Sequence, residues 1–192
     1  VNIVLATGNL DKVGEFEALW PGTGVERAPD GFSPEETGAT FFQNAWIKAA
    51  ALRGSADPGA VVLADDSGLV VHALGGRPGV FSARYAGDDA TDEDNCRRLL
   101  QELEGQGDRR AAFACVLVAL APGDRMLVAS GCCPGEITTA MRGGRGFGYD
   151  PVFVPLGEQR SMAEMTRDEK AAISHRGRAA RRMSSLLGLV AA

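Results

Sequence analysis

Apolar positions along the chain recur with two different periods, and the changes between them outline the fold. Val1–Ala6 is a compact apolar run of the kind a buried strand needs, and Thr7-Gly8-Asn9 is turn chemistry. Val13, Phe16 and Trp20 then recur at helical spacing, so the opening reads strand, polar turn, helix. A short strand is expected at Val25–Ala28 and a loop over Pro29–Gly38. Thr40 can cap a helix that carries Phe41, Ala45, Ala49 and Leu52 on one side. Val61–Ala64 reads as a compact strand ending in Asp65-Asp66-Ser67-Gly68, and Leu69–Leu74 as another, running into Gly75-Gly76-Arg77-Pro78-Gly79.

The second half repeats this alternation with hairpins added. Thr91 with Asp94 forms a capping-box pattern ahead of Leu99, Leu100 and Leu103. Ala111–Ala121 is continuously apolar and reads as a central strand, turned back by Pro122-Gly123-Asp124 into an antiparallel strand over Arg125–Ser130. Short strands are expected at Ile137–Met141 and Val152–Val154. Ser161 with Glu164 and Thr166 with Glu169 are further capping boxes, and a basic helix closes the chain from His175 to Leu187. Strands that both alternate with helices and meet in hairpins predict an α/β fold with a mixed sheet.

Composition narrows the function. With 192 residues, 45% hydrophobic and 23% charged, the chain is expected to form one folded domain over 1–192. No apolar run approaches the roughly 18 residues of a membrane span, and no basic-then-apolar leader opens the chain, so a cytoplasmic protein is expected. Cys96, Cys115, Cys132 and Cys133 have no CxxC spacing, which suits free thiols better than zinc or a disulfide frame. Twenty basic residues against 25 acidic leave a net charge of −5. That disfavours a broad nucleic-acid or membrane surface, so any polyanion must be met in a local pocket. Only three of the basic residues are lysines: Lys12, Lys48 and Lys170.

Several segments could carry chemistry. Thr7-Gly8-Asn9-Leu10-Asp11-Lys12 sits between a strand and a helix, where backbone N–H groups and the helix dipole attract an anion; the plainer reading is a polar turn with a solvated lysine. In Asp65-Asp66, successive strand residues face opposite sides, so one carboxylate enters a site while the other holds the turn. A carboxylate there could ligate Mg²⁺ or orient a water, or it could simply cap backbone amides. Glu35-Glu36 offers a second ligand or a solvated pair. Gly143–Pro151 does not open a helix, so it is no dinucleotide fingerprint; Phe147 or Tyr149 beside Asp150 could hold a nucleobase, or be core aromatics in a tight turn. His72, in an apolar strand, reads as structural, and His175 beside Arg176 as a ligand or a cap.

Taken together these segments resemble one family. Thr7-Gly8-Asn9…Lys12, Glu35-Glu36-Thr37-Gly38, Asn44…Lys48, Ala64-Asp65-Asp66-Ser67-Gly68-Leu69, Phe147-Gly148-Tyr149-Asp150-Pro151 and Lys170…Ser174-His175-Arg176 occur in the order seen in the inosine/xanthosine triphosphate pyrophosphatases. The likeness runs from about residue 3 to residue 187, and also takes in Leu74-Gly75-Gly76…Pro78-Gly79 and Ser82-Ala83-Arg84-Tyr85. The resemblance implies a bilobal mixed-sheet α/β fold with the nucleotide cleft between two lobes, a homodimer, and Mg²⁺-dependent hydrolysis of non-standard purine nucleoside triphosphates (ITP, dITP, XTP) to monophosphate and pyrophosphate. It implies that Asp66 is the catalytic carboxylate and a metal ligand, with Glu36 as its companion ligand. Thr7, Gly8, Asn9, Lys12, Asn44, Lys48 and Ser67 would contact substrate, Phe147, Gly148, Tyr149 and Asp150 would hold the purine, and Lys170, His175 and Arg176 would complete the pocket. Cys132-Cys133 and Gly14 depart from the expected pattern without touching a motif.

Overall fold

Period-two and helical patterns fold into strands and helices in the order β1 (Ile3–Leu5), α1 (Leu10–Leu19), β2 (Val25–Arg27), α2 (Phe41–Arg53), β3 (Val61–Val71), α3 (Asp92–Glu102), β4 (Arg110–Ala121), β5 (Arg125–Ile137), β6 (Phe153–Pro155), α4 (Arg167–Ile173) and α5 (His175–Leu187). This computed structural model describes residues 2–189; Val1, expected in the first strand, and residues 190–192 lie outside the described residues. The strands hydrogen-bond in the order β2-β1-β3-β4-β5-β6. β1 runs parallel to β2 and β3, whereas β5 and β6 are antiparallel, so the sheet is mixed as expected.

The residues fall into two compact units, neither a continuous stretch of chain. The first holds everything up to Asp66, then Cys115–Gly131 and the residues from Arg176 onward. Its strands alternate sides. Ile3, Leu5, Val61, Leu63 and Leu117 pack with Val13 and Phe16 of α1 and with Ala179, Ala180 and Met183 of α5. Val62, Ala64 and Val118 face the other way, onto Ala45, Ala49 and Leu52 of α2. Each fully buried large side chain, such as Phe16 or Leu63, contributes about 1.5–3 kcal/mol by leaving water. The Trp20 indole N–H donates to Ser184 Oγ at 2.5 Å and ties the end of α1 to α5.

The second unit comprises Ser67–Ala114 and Cys132–His175. Cys96, Leu99 and Leu103 of α3 pack on Leu69, Val71, Phe113, Ile137, Tyr149, Val152 and Phe153. Phe113 and Phe153 meet edge to face at 4.7 Å between centroids.

Local signals placed the helix starts well. Thr40, Thr91 and Thr166 each accept from the N3 amide, and Gln43, Asp94 and Glu169 each reach back to the cap amide. The Ser161 box caps only a 3₁₀ turn, Met162–Glu164. Four strand readings need correction. β3 does not end at Asp65-Asp66; it continues to Val71, and His72–Leu74 is a 3₁₀ turn rather than strand. Two charged residues persist mid-strand because each is neutralised by partners on its own side. β5 is longer than expected and includes Cys132–Ile137, so Ile137 ends a strand instead of starting one. The last strand lies at Phe153–Pro155, after a 3₁₀ turn over Asp150–Val152.

Candidate functional site

β3 places two carboxylates back to back. Val61, Leu63 and Asp65 face α1 and α5, and Val62, Ala64 and Asp66 face α2, because strand side chains alternate. Asp65 is 1% exposed and pairs with Lys12 and with the Arg176 Nε at 3.1 Å. Asp66 pairs with the Lys48 Nζ at 3.0 Å and accepts from Asn44 Nδ2 at 3.3 Å. The adjacent carboxylates therefore have separate partners.

On the Asp66 side, α2 supplies Asn44 and Lys48, one turn apart on a single face and both buried. The Asn44 Oδ1 accepts from the Gly38 amide at 2.8 Å, which orients its amide nitrogen toward Asp66. A Cβ on Gly38 would stand 2.9 Å from the Asn44 backbone nitrogen, so only glycine lets the loop approach this closely. Lys48 also reaches Glu36 Oε1 at 3.1 Å, so one ammonium bridges Asp66 and Glu36. Burial pushes the Asp66 carboxyl above its usual range; the Lys48 ammonium opposes this and the Glu36 carboxylate adds to it. For Lys48, burial works against the charge, but Asp66, Asp65 and Glu36 outweigh it and raise its pKa.

On the Asp65 side, Asn9 is the N-cap of α1. Its Oδ1 accepts from the Asp11 and Lys12 amides at 2.9 and 3.2 Å, and its own amide donates to Thr7 Oγ1 at 3.1 Å. Thr7, Gly8 and Asn9 thus shape the turn that starts the helix, and Lys12 extends from its first turn to Asp65. For Asp65 burial alone would raise the pKa, but Arg176, Lys12 and Lys48 hold it well below the carboxylate range. Arg176 is 2% exposed and is also paired with Glu15.

The remaining predicted residues lie in the second unit. Asp150 is 2% exposed; its Oδ2 accepts from the Phe147 amide at 3.0 Å and from Lys170 Nζ at 2.6 Å. The Lys170 ammonium also stands 4.8 Å from the centre of the half-buried Phe147 ring, a cation–π contact. The Gly148 amide donates to Asp92 Oδ2 at 2.6 Å. Tyr149 lies in the core, its hydroxyl donating to Ser82 O at 2.8 Å, and burial pushes its pKa upward. His175 stacks on Phe113 at 4.7 Å, 10° from coplanar. Beside Phe147 a hollow of about 280 Å³ is lined by Asp92, Glu93, Cys96, Met141, Arg145 and Gly148, among others. Ser67, the residue of β3 after Asp66, is half-buried.

Phe147, Asp150 and Lys170 form one group, and Glu36, Asn44, Lys48 and Asp66 another. The Ham1 family profile matches residues 3–186. The chain belongs to the Ham1 family. It is 50% identical over 185 residues to the dITP/XTP pyrophosphatase of Geobacillus kaustophilus, covering 92% of this chain and 89% of that one. It is 46% identical to that of Staphylococcus epidermidis over 189 residues, 97% of this chain and 96% of the relative. Among solved structures, a HAM1 protein from Coxiella burnetii has a TM-score of 0.86 at 41% identity, covering 99% and 100% of the two chains. The Staphylococcus aureus Ham1 protein has the same TM-score at 39% identity, over 98% of each chain. The family read from the motifs is the family found.

Sequence reasoning did not single out Glu15, which pairs with Arg176, Cys115, which donates to Asp65, Asp92, which accepts from the Gly148 amide, or Phe113, on which His175 stacks. Glu15 had a usable signal: it lies three residues after Lys12, on the same helix face. Cys115 and Phe113 lie in an apolar strand with nothing to mark them.

Proposed function

We propose that this chain is a Mg²⁺-dependent pyrophosphatase that hydrolyses dITP, XTP and ITP to the nucleoside monophosphate and pyrophosphate. The observation that carries the reading is the Asp66 carboxylate, buried, pushed upward in pKa and oriented by Asn44, with Glu36 on the same lysine. The activities named for the relatives support the same substrates.

The donor set suits Mg²⁺. Among the described residues, no group of three or more His, Cys, Asp or Glu gathers as a protein-only metal cage. Asp66 and Glu36 already share one cation, the Lys48 ammonium, at 3.0 and 3.1 Å. Two hard carboxylates completed by water and phosphate oxygens are what Mg²⁺ favours. When bound, Mg²⁺ supplies charge neutralisation and polarisation of the phosphate oxygens. Asp66 accepts a proton from the water that attacks the α-phosphorus. Lys12 and Lys48 bind phosphate oxygens, whose charge grows on the departing pyrophosphate. Phe147 stacks on the purine, and Lys170, fixed by Asp150, donates to the 6-oxo group. The 6-amino group of adenine would bring a donor against that donor and leave both unpaired. We further propose that the active species is a cytoplasmic homodimer of one pyrophosphatase domain per chain.

Pyrophosphate release with dITP, XTP, ITP, GTP and ATP, with Mg²⁺ and with chelator, tests the reading. Release with the first three that stops on chelation is expected. Tight nucleotide binding with no metal-dependent release would overturn it. Sedimentation of the purified chain tests the dimer.

A further inference from the structure

Asp65 makes more contacts than a turn-holding carboxylate needs. It is 1% exposed, and both of its oxygens are engaged. Oδ1 pairs with Lys12, and Oδ2 accepts from the Arg176 Nε at 3.1 Å and the Cys115 thiol at 3.4 Å. Cys115 is itself buried, and burial followed by the Asp65 charge pushes its thiol far up, so it stays a neutral donor. Oδ2 thus accepts twice, while Oδ1 is held by the Lys12 charge and has no hydrogen-bond partner of good geometry.

The pairs begin and end on α1. Arg176 pairs with Glu15, which lies three residues beyond Lys12 on the same face of α1. Lys12, Asp65, Arg176 and Glu15 therefore form a chain of alternating charge that joins α1, β3 and α5 within the first unit. α1 is clamped twice, once through its lysine and once through its glutamate. The side chain of Lys12 keeps 16% exposure, so it lies at the edge of this buried group.

We propose that Asp65 is a positioning residue: it holds the Lys12 ammonium ready at the first turn of α1 to meet the substrate phosphates, and it does not ligate metal. A lysine stem has high rotamer freedom, so anchoring it beforehand reduces what must be ordered when the triphosphate arrives. Arg176 then acts through Asp65, as the counter-charge that keeps the carboxylate aimed at Lys12. The inference rests on the phosphate role proposed for Lys12.

A double-variant cycle with dITP tests it. Lys12→Met and Asp65→Asn should each lower kcat/KM at least about tenfold, and the double variant should stay within about threefold of Lys12→Met alone. Losses that multiply would overturn the proposal. Half-activation by Mg²⁺ should move less than about twofold in Asp65→Asn, whereas Glu36→Gln should move it clearly. A shift in Asp65→Asn as large as in Glu36→Gln would make Asp65 a metal ligand and overturn the assignment. Wild-type kinetics in Asp65→Asn with a loss in Lys12→Met would overturn the positioning role alone. Wild-type kinetics in Lys12→Met would overturn its premise as well. A second measurement needs no variant at Asp65. With three lysines in the chain, lysine-labelled protein gives three ammonium signals. The Lys12 signal should show restrained motion and slow proton exchange; a freely rotating, fast-exchanging ammonium would overturn the proposal.

Discussion

Alanine at position 146 meets two obstacles that can be sized. Gly146 has φ of +75°, in the left-handed region, and an L-residue there costs about 1–2 kcal/mol. Its Cβ would also collide with Asp150 Oδ2 and lie 3.0 Å from Asp150 Cγ. That oxygen cannot move freely, because it accepts from the Phe147 amide and from Lys170. Relief requires loosening a charged hydrogen bond, worth about 1.5–3 kcal/mol. The sum is about 2.5 kcal/mol at its lower end, which in a chain of this length lowers the unfolding midpoint by roughly 5–10 °C. Gly144→Ala is the matched control, since no atom lies within 4 Å of its Cβ and its φ is ordinary. The assay is thermal unfolding of both variants, followed by kinetics with dITP. Gly146→Ala should raise KM about tenfold or more while leaving kcat within about threefold, because in the proposed reading Asp150 and Lys170 hold the base and not the reacting phosphorus. If Gly146→Ala melts and binds like Gly144→Ala, the reasoning is wrong.

Three further outcomes follow from the same geometry. Asp66→Asn should lower turnover about 10³-fold while calorimetry still detects nucleotide binding; a near-normal kcat would refute its role as base. Lys48→Met should move the acid limb of kcat/KM to higher pH. Burial and Glu36 raise the Asp66 pKa and Lys48 lowers it, so removing Lys48 raises it further and the base is protonated sooner on acidification. A limb that stays put or moves down would contradict this. In native protein at pH 8, only exposed Cys132 should react quickly with a thiol reagent, because Cys115 and Cys133 are buried and burial pushes Cys96 up to about 12. Cys132→Ser should remove that fast phase, and its survival would show another thiol to be accessible.

What the sequence revealed was mostly local. The Thr40, Thr91 and Thr166 caps depend on residues three positions away, so they could be read directly. Strand alternation likewise separated Asp65 from Asp66, because neighbours along a strand face opposite sides whatever they pack against. The continuation of β3 was not readable, because it depends on pairs with Lys12 and Arg176, distant along the chain in both directions. Phe147, Asp150 and Lys170 do come together, as do Glu36, Asn44, Lys48 and Asp66. Tyr149, read beside Phe147 as a possible stacking ring, points instead into the core, since its hydroxyl finds Ser82 O only through tertiary folding. Aromatic composition alone does not distinguish a ring that faces a ligand from one that supports the loop beneath it.

The chain of ion pairs around Asp65 has a consequence for synthesis on the ribosome. Asp65 leaves the ribosome 111 residues ahead of Arg176. Until then Asp65 has Lys12 as its nearest cation, and its burial is incompletely compensated. The second unit needs nothing beyond His175, so it does not wait for the rest of α5. The first unit cannot close until α5 has left the exit tunnel, so chains stalled before Arg176 should leave β3 exposed to proteases and chaperones.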